Sequence, residues 1–96
     1  MNKSELTTKI NYETAKVHWH ELQRFFAAGK VLFVDKKLDL VEAATHIAHD
    51  NMPKVTQWLN DNLILPVSDT QAKKWYKNNT VLWANIVKPW ILVQKL

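Results

Sequence analysis

Residues 38–68 (LDLVEAATHIAHDNMPKVTQWLNDNLILPVS) carry the fullest alternation of apolar and polar positions in the chain, with start and stop signals for two consecutive helices and a following strand. On a helical wheel Leu40, Ala43, Ala44 and Ile47 share one face, and Glu42, Thr45, His46 and His49 share the opposite one. Asp39 with Glu42 three positions on is a capping-box pattern at the start of this helix. Asn51 supplies a left-handed stop and Pro53 opens the next helix, where a missing amide hydrogen costs nothing. The second helix, 52–61, puts Val55, Trp58 and Leu59 on one side and Lys54, Gln57, Asn60 and Asp61 on the other, and Asn62 ends it. Leu63 to Val67 follows as a short strand, with Pro66 marking an edge or a strand end.

Upstream, Leu6, Ile10 and Val17 fall on one face of an amphipathic helix beginning near Ser4. His18 to Ala28 reads as a second helix, aligning Trp19, Leu22 and Phe26 and stopping at Gly29, the only glycine. The apolar run 31–34, bounded by Lys30 and Asp35, fits a buried strand. Downstream, Ser68 and Gln71 form a capping-box pattern for a helix to Asn78, with Ala72, Trp75, Tyr76 and Asn79 on one face and Lys73, Lys74 and Lys77 mostly away from it. The tail TVLWANIVKPWILVQKL is rich in branched and aromatic residues and reads as β structure. Pro89 separates Trp90 to Gln94 as its own extended segment, and helix is an alternative for 82–87. The expected fold is a small α+β domain spanning 1–96, with strands at 31–35, 63–67 and 82–94, about five helices, helical rather than hairpin connections, and a sheet covered on at least one face.

In this order and spacing WHELQRFFAAG, VDKKLDLVEAA, KVTQWL and PWILVQ resemble a family of short bacterial proteins known only as a domain of unknown function. The resemblance implies a bacterial, cytoplasmic protein and brings no activity, cofactor or catalytic residue to transfer.

Composition narrows the chemistry. Ninety-six residues suffice for one core but not two, and 47% hydrophobic against 23% charged side chains gives a globular chain. Without cysteine, disulfides, thiol catalysis and cysteine-ligated metals are excluded. A single glycine rules out phosphate-cradling loops of the P-loop or dinucleotide type. The first residues lack an apolar core of signal-peptide type, and no run approaches the ~20 apolar residues of a membrane span. A cytoplasmic protein without a membrane partner is therefore expected.

The net charge of +4 lies in the C-terminal half, where six lysines face two aspartates, whereas residues 1–50 carry seven charges of each sign. Lysine outnumbers arginine twelve to one, which argues against guanine reading by bidentate arginine. Nucleic-acid binding nonetheless stands as an alternative. The helix pair 39–62 has the size of a helix-turn-helix, with Lys54, Gln57 and Asn60 as contacts and Lys73, Lys74 and Lys77 as further cations.

Glu42, His46 and His49 share a helix face at ligand spacing and raise a metal-dependent activity as a third reading, with His18 and His20 as a second pair. Their face is opposite the apolar stripe, so a solvated face takes precedence, and no cofactor or metal is assigned. Ser4 and Ser68 are placed as helix caps, and Asp35 in a polar turn, rather than as catalytic groups. Five tryptophans are many for a chain this short, and a small domain struggles to bury them all. The leading expectation is a non-enzymatic module that self-associates or binds a protein partner, using Tyr76, Trp83 and Trp90.

Overall fold

The computed structural model describes residues 14–96. The elements run β1 (Ala15–His18), α1 (Trp19–Ala27), β2 (Val31–Val34), α2 (Leu40–Ala48), α3 (Met52–Asn60), β3 (Ile64–Pro66), α4 (Asp69–Asn78), β4 (Val81–Val87) and β5 (Trp90–Lys95). The strands form one mixed sheet in the order β1-β4-β5-β2-β3. β2 and β5 are parallel and every other pair is antiparallel.

The α+β reading holds, with four helices among the described residues rather than about five. Of the helix expected from Ser4, residues 1–13 lie outside the described residues. Ala15, Lys16 and Val17 are strand, paired with Ala84, Trp83 and Leu82. Val17, shared by either pattern, faces the sheet's hydrophobic cluster from an edge strand.

The tail is a hairpin, not a strand reached through a helix. β4 and β5 pair from Leu82↔Lys95 to Val87↔Trp90 around Lys88-Pro89, whose peptide bond is cis. The sequence lacks the Asn-Gly or Asp-Gly pair that signals a two-residue hairpin, so the separation at Pro89 was legible and the turn was not. The alternative of a helix over 82–87 is likewise replaced by strand, as the branched Val81, Ile86 and Val87 favour.

The expectation of one core is corrected to two. On one face of the sheet Val34, Ile64, Val87 and Leu92 pack with Leu38, Leu40, Ala43, Ala44 and Trp58. On the other, Val31, Leu82, Ala84, Ile91 and Val93 pack with Trp19, Leu22, Ala72 and Trp75. Strand alternation makes this possible: Ile91 and Val93 point one way and Leu92 the other, all at most 4% exposed. Helices α2 and α3 therefore cover the first face and α1 and α4 the second. Ala43 and Ala44 are fully buried, so small side chains bring α2 close to the sheet. Trp19, fully buried, meets Trp75 edge-on at 5.2 Å and donates from Nε1 to Gln23 Oε1 at 2.7 Å.

One device ends every described helix. Gly29, Asp50, Asn62 and Asn79 follow α1 to α4 and all have positive φ. The next amide in each case reaches back to a carbonyl of the last turn: Lys30 to Phe25, Asn51 to His46, Leu63 to Trp58 and Thr80 to Trp75. The expected left-handed residue after α2 was Asn51; it is Asp50, at φ 54°. Aspartate shares asparagine's tolerance of this conformation, and Asn51 instead donates from Nδ2 to His46 Nδ1 at 2.9 Å. At the starts, Ser68 and Gln71 form the full capping box, whereas Asp39 only accepts from the Glu42 amide. Pro53 is the second residue of α3, after Met52.

The sheet's described edges are β1 and β3. Leu63 O accepts from the amide of Asp35 just after β2 and Val67 N donates to Val31 O, so Pro66 lies at a position directed away from β2, where its missing N–H is not needed. Gln94 Nε2 donates to the carbonyls of Asp35 and Leu38, tying the β2–α2 turn to β5. In that turn Asp35 Oδ1 accepts from the Lys37 amide.

Asn62→Gly is expected to hold or slightly raise the urea midpoint of unfolding. Asn62→Val should lower stability by about 1–2 kcal/mol, because a β-branched residue must adopt the left-handed conformation. Equal midpoints for the two variants would contradict this account of the helix stops.

Candidate functional site

Three of the five tryptophans are core: Trp19, Trp58 and Trp75 are at most 4% exposed. The other two, Trp83 and Trp90, are each 36% exposed and are the pair expected at an interface. Both occupy first-face positions of the β4–β5 hairpin, opposite Gln94 and Val87 respectively. They stand at different ends of it, Trp83 beneath the Lys16 ammonium at 5.3 Å and Trp90 beside the Lys88-Pro89 turn. Tyr76, 52% exposed, is on α4 and therefore on the opposite face. The three expected interface residues do not form one patch.

Trp90 does border a groove of about 360 Å³. Its floor is Leu32, Ile64 and Pro66 of β2 and β3, and its wall is Met52, Val55 and Leu59 of α3. These three helix residues stand at i, i+3 and i+7, so they line one side of α3 above the sheet. Met52 is 59% and Leu59 40% exposed. Asp50 and Lys88 are the charged residues of the lining, which holds no serine, threonine or histidine. Val55 and Leu59 are on the expected apolar side of the helix, and Met52, at the start of the same stripe, is the signal in the sequence that points to this wall.

The cations expected at a nucleic-acid surface divide between the two faces. Lys54 extends over the Trp58 ring at 5.5 Å on α3, where Gln57 and Asn60 are exposed. Lys73, Lys74 and Lys77 are exposed on α4, across the sheet. Of these, Lys73 lines a second recess of about 340 Å³ between α1 and α4, together with Gln23, Phe26, Asp69, Ala72 and Tyr76.

Three of the four histidines have side-chain neighbours, and His49 is exposed at the C-cap position of α2. His46 Nε2 faces Glu42 Oε1 at 4.0 Å, and its ring stands edge-on to Trp58. On the second face His18 Nδ1 donates to Asn79 O at 3.3 Å and His20 Nε2 to Tyr76 O at 2.7 Å. The His20 amide also donates to Asn79 Oδ1 at 3.1 Å. The two histidines flanking Trp19 thus hold the C-terminal end of α4, where carbonyls lack helical partners. Among the described residues no three His, Asp or Glu side chains converge as a cation site. Likewise, among them no helix is long and apolar enough to cross a membrane.

Residues 5–95 match a family model described as "Protein of unknown function (DUF2288)". The chain is similar to the NMR solution structure of PA1075 from Pseudomonas aeruginosa, with 42% identity over 96% of this chain and 85% of that one, at a TM-score of 0.82. No curated protein matches.

Replacing His18 and His20 together by alanine is expected to cost about 1–2 kcal/mol in urea denaturation, from the lost hydrogen bonds to Asn79 and Tyr76. Metal content by elemental analysis of untagged protein should stay below one equivalent in both forms. A stoichiometric metal lost on His46→Gln would instead restore the metal reading.

Proposed function

We propose, for a chain that belongs to the DUF2288 family of proteins of unknown function, that it is a non-enzymatic protein-interaction module whose contact surface is the Trp90 groove. The observation that carries this reading is the lining itself, nine apolar side chains of eleven, with exposed Met52, Leu59 and Trp90 around the opening. An apolar surface of this kind gains free energy when covered, at about 25 cal/mol per Å² of area removed from water. A ring such as Trp90 at its margin is the residue type that dominates contact energies.

The occupant that best suits the groove is a second copy of the chain. A two-fold contact buries the same patch on both subunits, so one hairpin end contributes twice to the interface. Asp50 and Lys88 belong to the same lining, so opposite charges from the two copies can meet across such a contact. The membership of a family without an assigned activity adds no substrate and no catalytic group to this reading.

Size-exclusion chromatography with light scattering on the untagged protein should give a dimer that dissociates on dilution. Trp90→Ser combined with Leu59→Ser should be monomeric at the same concentration, with an unchanged circular dichroism spectrum. A wild-type protein that is monomeric at every concentration, or a double variant that remains a dimer, would reject self-association through this groove.

A further inference from the structure

The two helical layers differ in charge. Helices α1 and α4 carry Arg24, Lys73, Lys74 and Lys77 against Glu21 and Asp69. Helices α2 and α3, with their capping residues, carry Lys54 against Asp39, Glu42 and Asp61. The cationic excess among the helices therefore faces away from the apolar groove. Within α4, Lys73, Tyr76 and Lys77 stand at i, i+3 and i+4 and share one exposed stripe, and Lys74 is one turn from Lys77.

Tyr76 is an exposed ring held in place. The His20 ring packs on it with centroids 4.6 Å apart and planes 36° from parallel, and His20 is itself fixed through the Tyr76 carbonyl. An aromatic already immobilised loses little conformational freedom when something stacks on it. Beside it lies the recess backed by Phe26. Gln23 lines that recess with its Oε1 accepting from Trp19, which orients the amide nitrogen as its remaining donor, and the Asp69 carboxylate supplies an acceptor.

We infer that this α1/α4 face binds single-stranded nucleic acid. An unpaired base stacks on Tyr76 and reaches into the recess toward Phe26, while Lys73, Lys74 and Lys77 neutralise neighbouring phosphates. A single strand fits better than a duplex, because the stacking ring needs an unstacked base and the face carries one arginine for groove-edge reading. It fits better than an acidic peptide, which matches the lysines but makes no use of an ordered, exposed ring. The inference is independent of what covers the Trp90 groove on the other face.

Fluorescence anisotropy of the full chain with a short labelled oligouridylate or oligothymidylate at low salt tests it. Binding is expected, weakening with salt along a log–log slope of about −2, as for three phosphates on a single strand. Lys73→Gln with Lys77→Gln should weaken binding by about tenfold or more and flatten that slope. Tyr76→Ala should weaken it about tenfold with the slope unchanged, and Tyr76→Phe, which keeps the ring, should restore it. Lys36→Gln with Lys37→Gln, a control of equal charge in the β2–α2 turn, should leave affinity as it was. Absence of binding at low salt, preference for duplex, equal competition by polyglutamate, or indifference to Tyr76→Ala would each overturn the inference.

Discussion

The double-sided burial of β5 is the constraint on which the remaining structure depends. Ile91, Leu92 and Val93 are consecutive, and a strand sends consecutive side chains to opposite faces, so neither face of the central sheet can be left to water. Each face then requires its own helical cover. The chain provides it in two pairs, α2 with α3 and α1 with α4, and the strand order β1-β4-β5-β2-β3 places β5 at the middle of both layers. The parallel β2–β5 pair follows from the same arrangement, since parallel strands are stable where both faces are covered.

A three-layer arrangement in so short a chain leaves little length for connections, and the helix stops reflect that. All four described helices are nine or ten residues long and end in the same left-handed residue with the same backward hydrogen bond. This closes each helix within two residues and redirects the chain at once toward the next element. Only one of the four positions is glycine; asparagine or aspartate serves at the others, at a local conformational cost that the packed layers on either side absorb.

Local signals were legible in the sequence where a single residue or a short spacing decides the outcome: Gly29 and Asn62 as stops, Ser68 with Gln71 as a start, Val31–Val34 as a strand, Pro66 at an edge. What was not legible depends on partners distant in sequence. Ala15 to Val17 satisfy a helical spacing as well as a strand, and it is pairing with Leu82 to Ala84 that makes them β1. The second core has a local signal, since the consecutive apolar residues 91–93 must bury on opposite faces, but which helices cover each face depends on elements distant in sequence. The site suffered most from this. Tyr76, Trp83 and Trp90 are close in sequence, yet strand alternation and the α4 connection put Tyr76 across the sheet from the tryptophans, and the lysines of α3 and α4 are divided in the same way.

That division gives the molecule two chemically distinct exposed faces with one rigid sheet between them. The first-face groove is apolar with Asp50 and Lys88 as its charged residues, so any contact made there would be governed by area removed from water and respond weakly to salt. The second face is cationic around an exposed tyrosine, so any anionic partner there would be held by contacts that weaken with salt. Each face rests on its own core: Trp58 supports Lys54 and His46 on one side, and Trp19 holds Gln23 and packs against Trp75 on the other. Because each face has its own helices and its own hydrophobic cluster, a substitution that empties the groove leaves the lysine–tyrosine stripe standing, and the two surfaces can be altered one at a time.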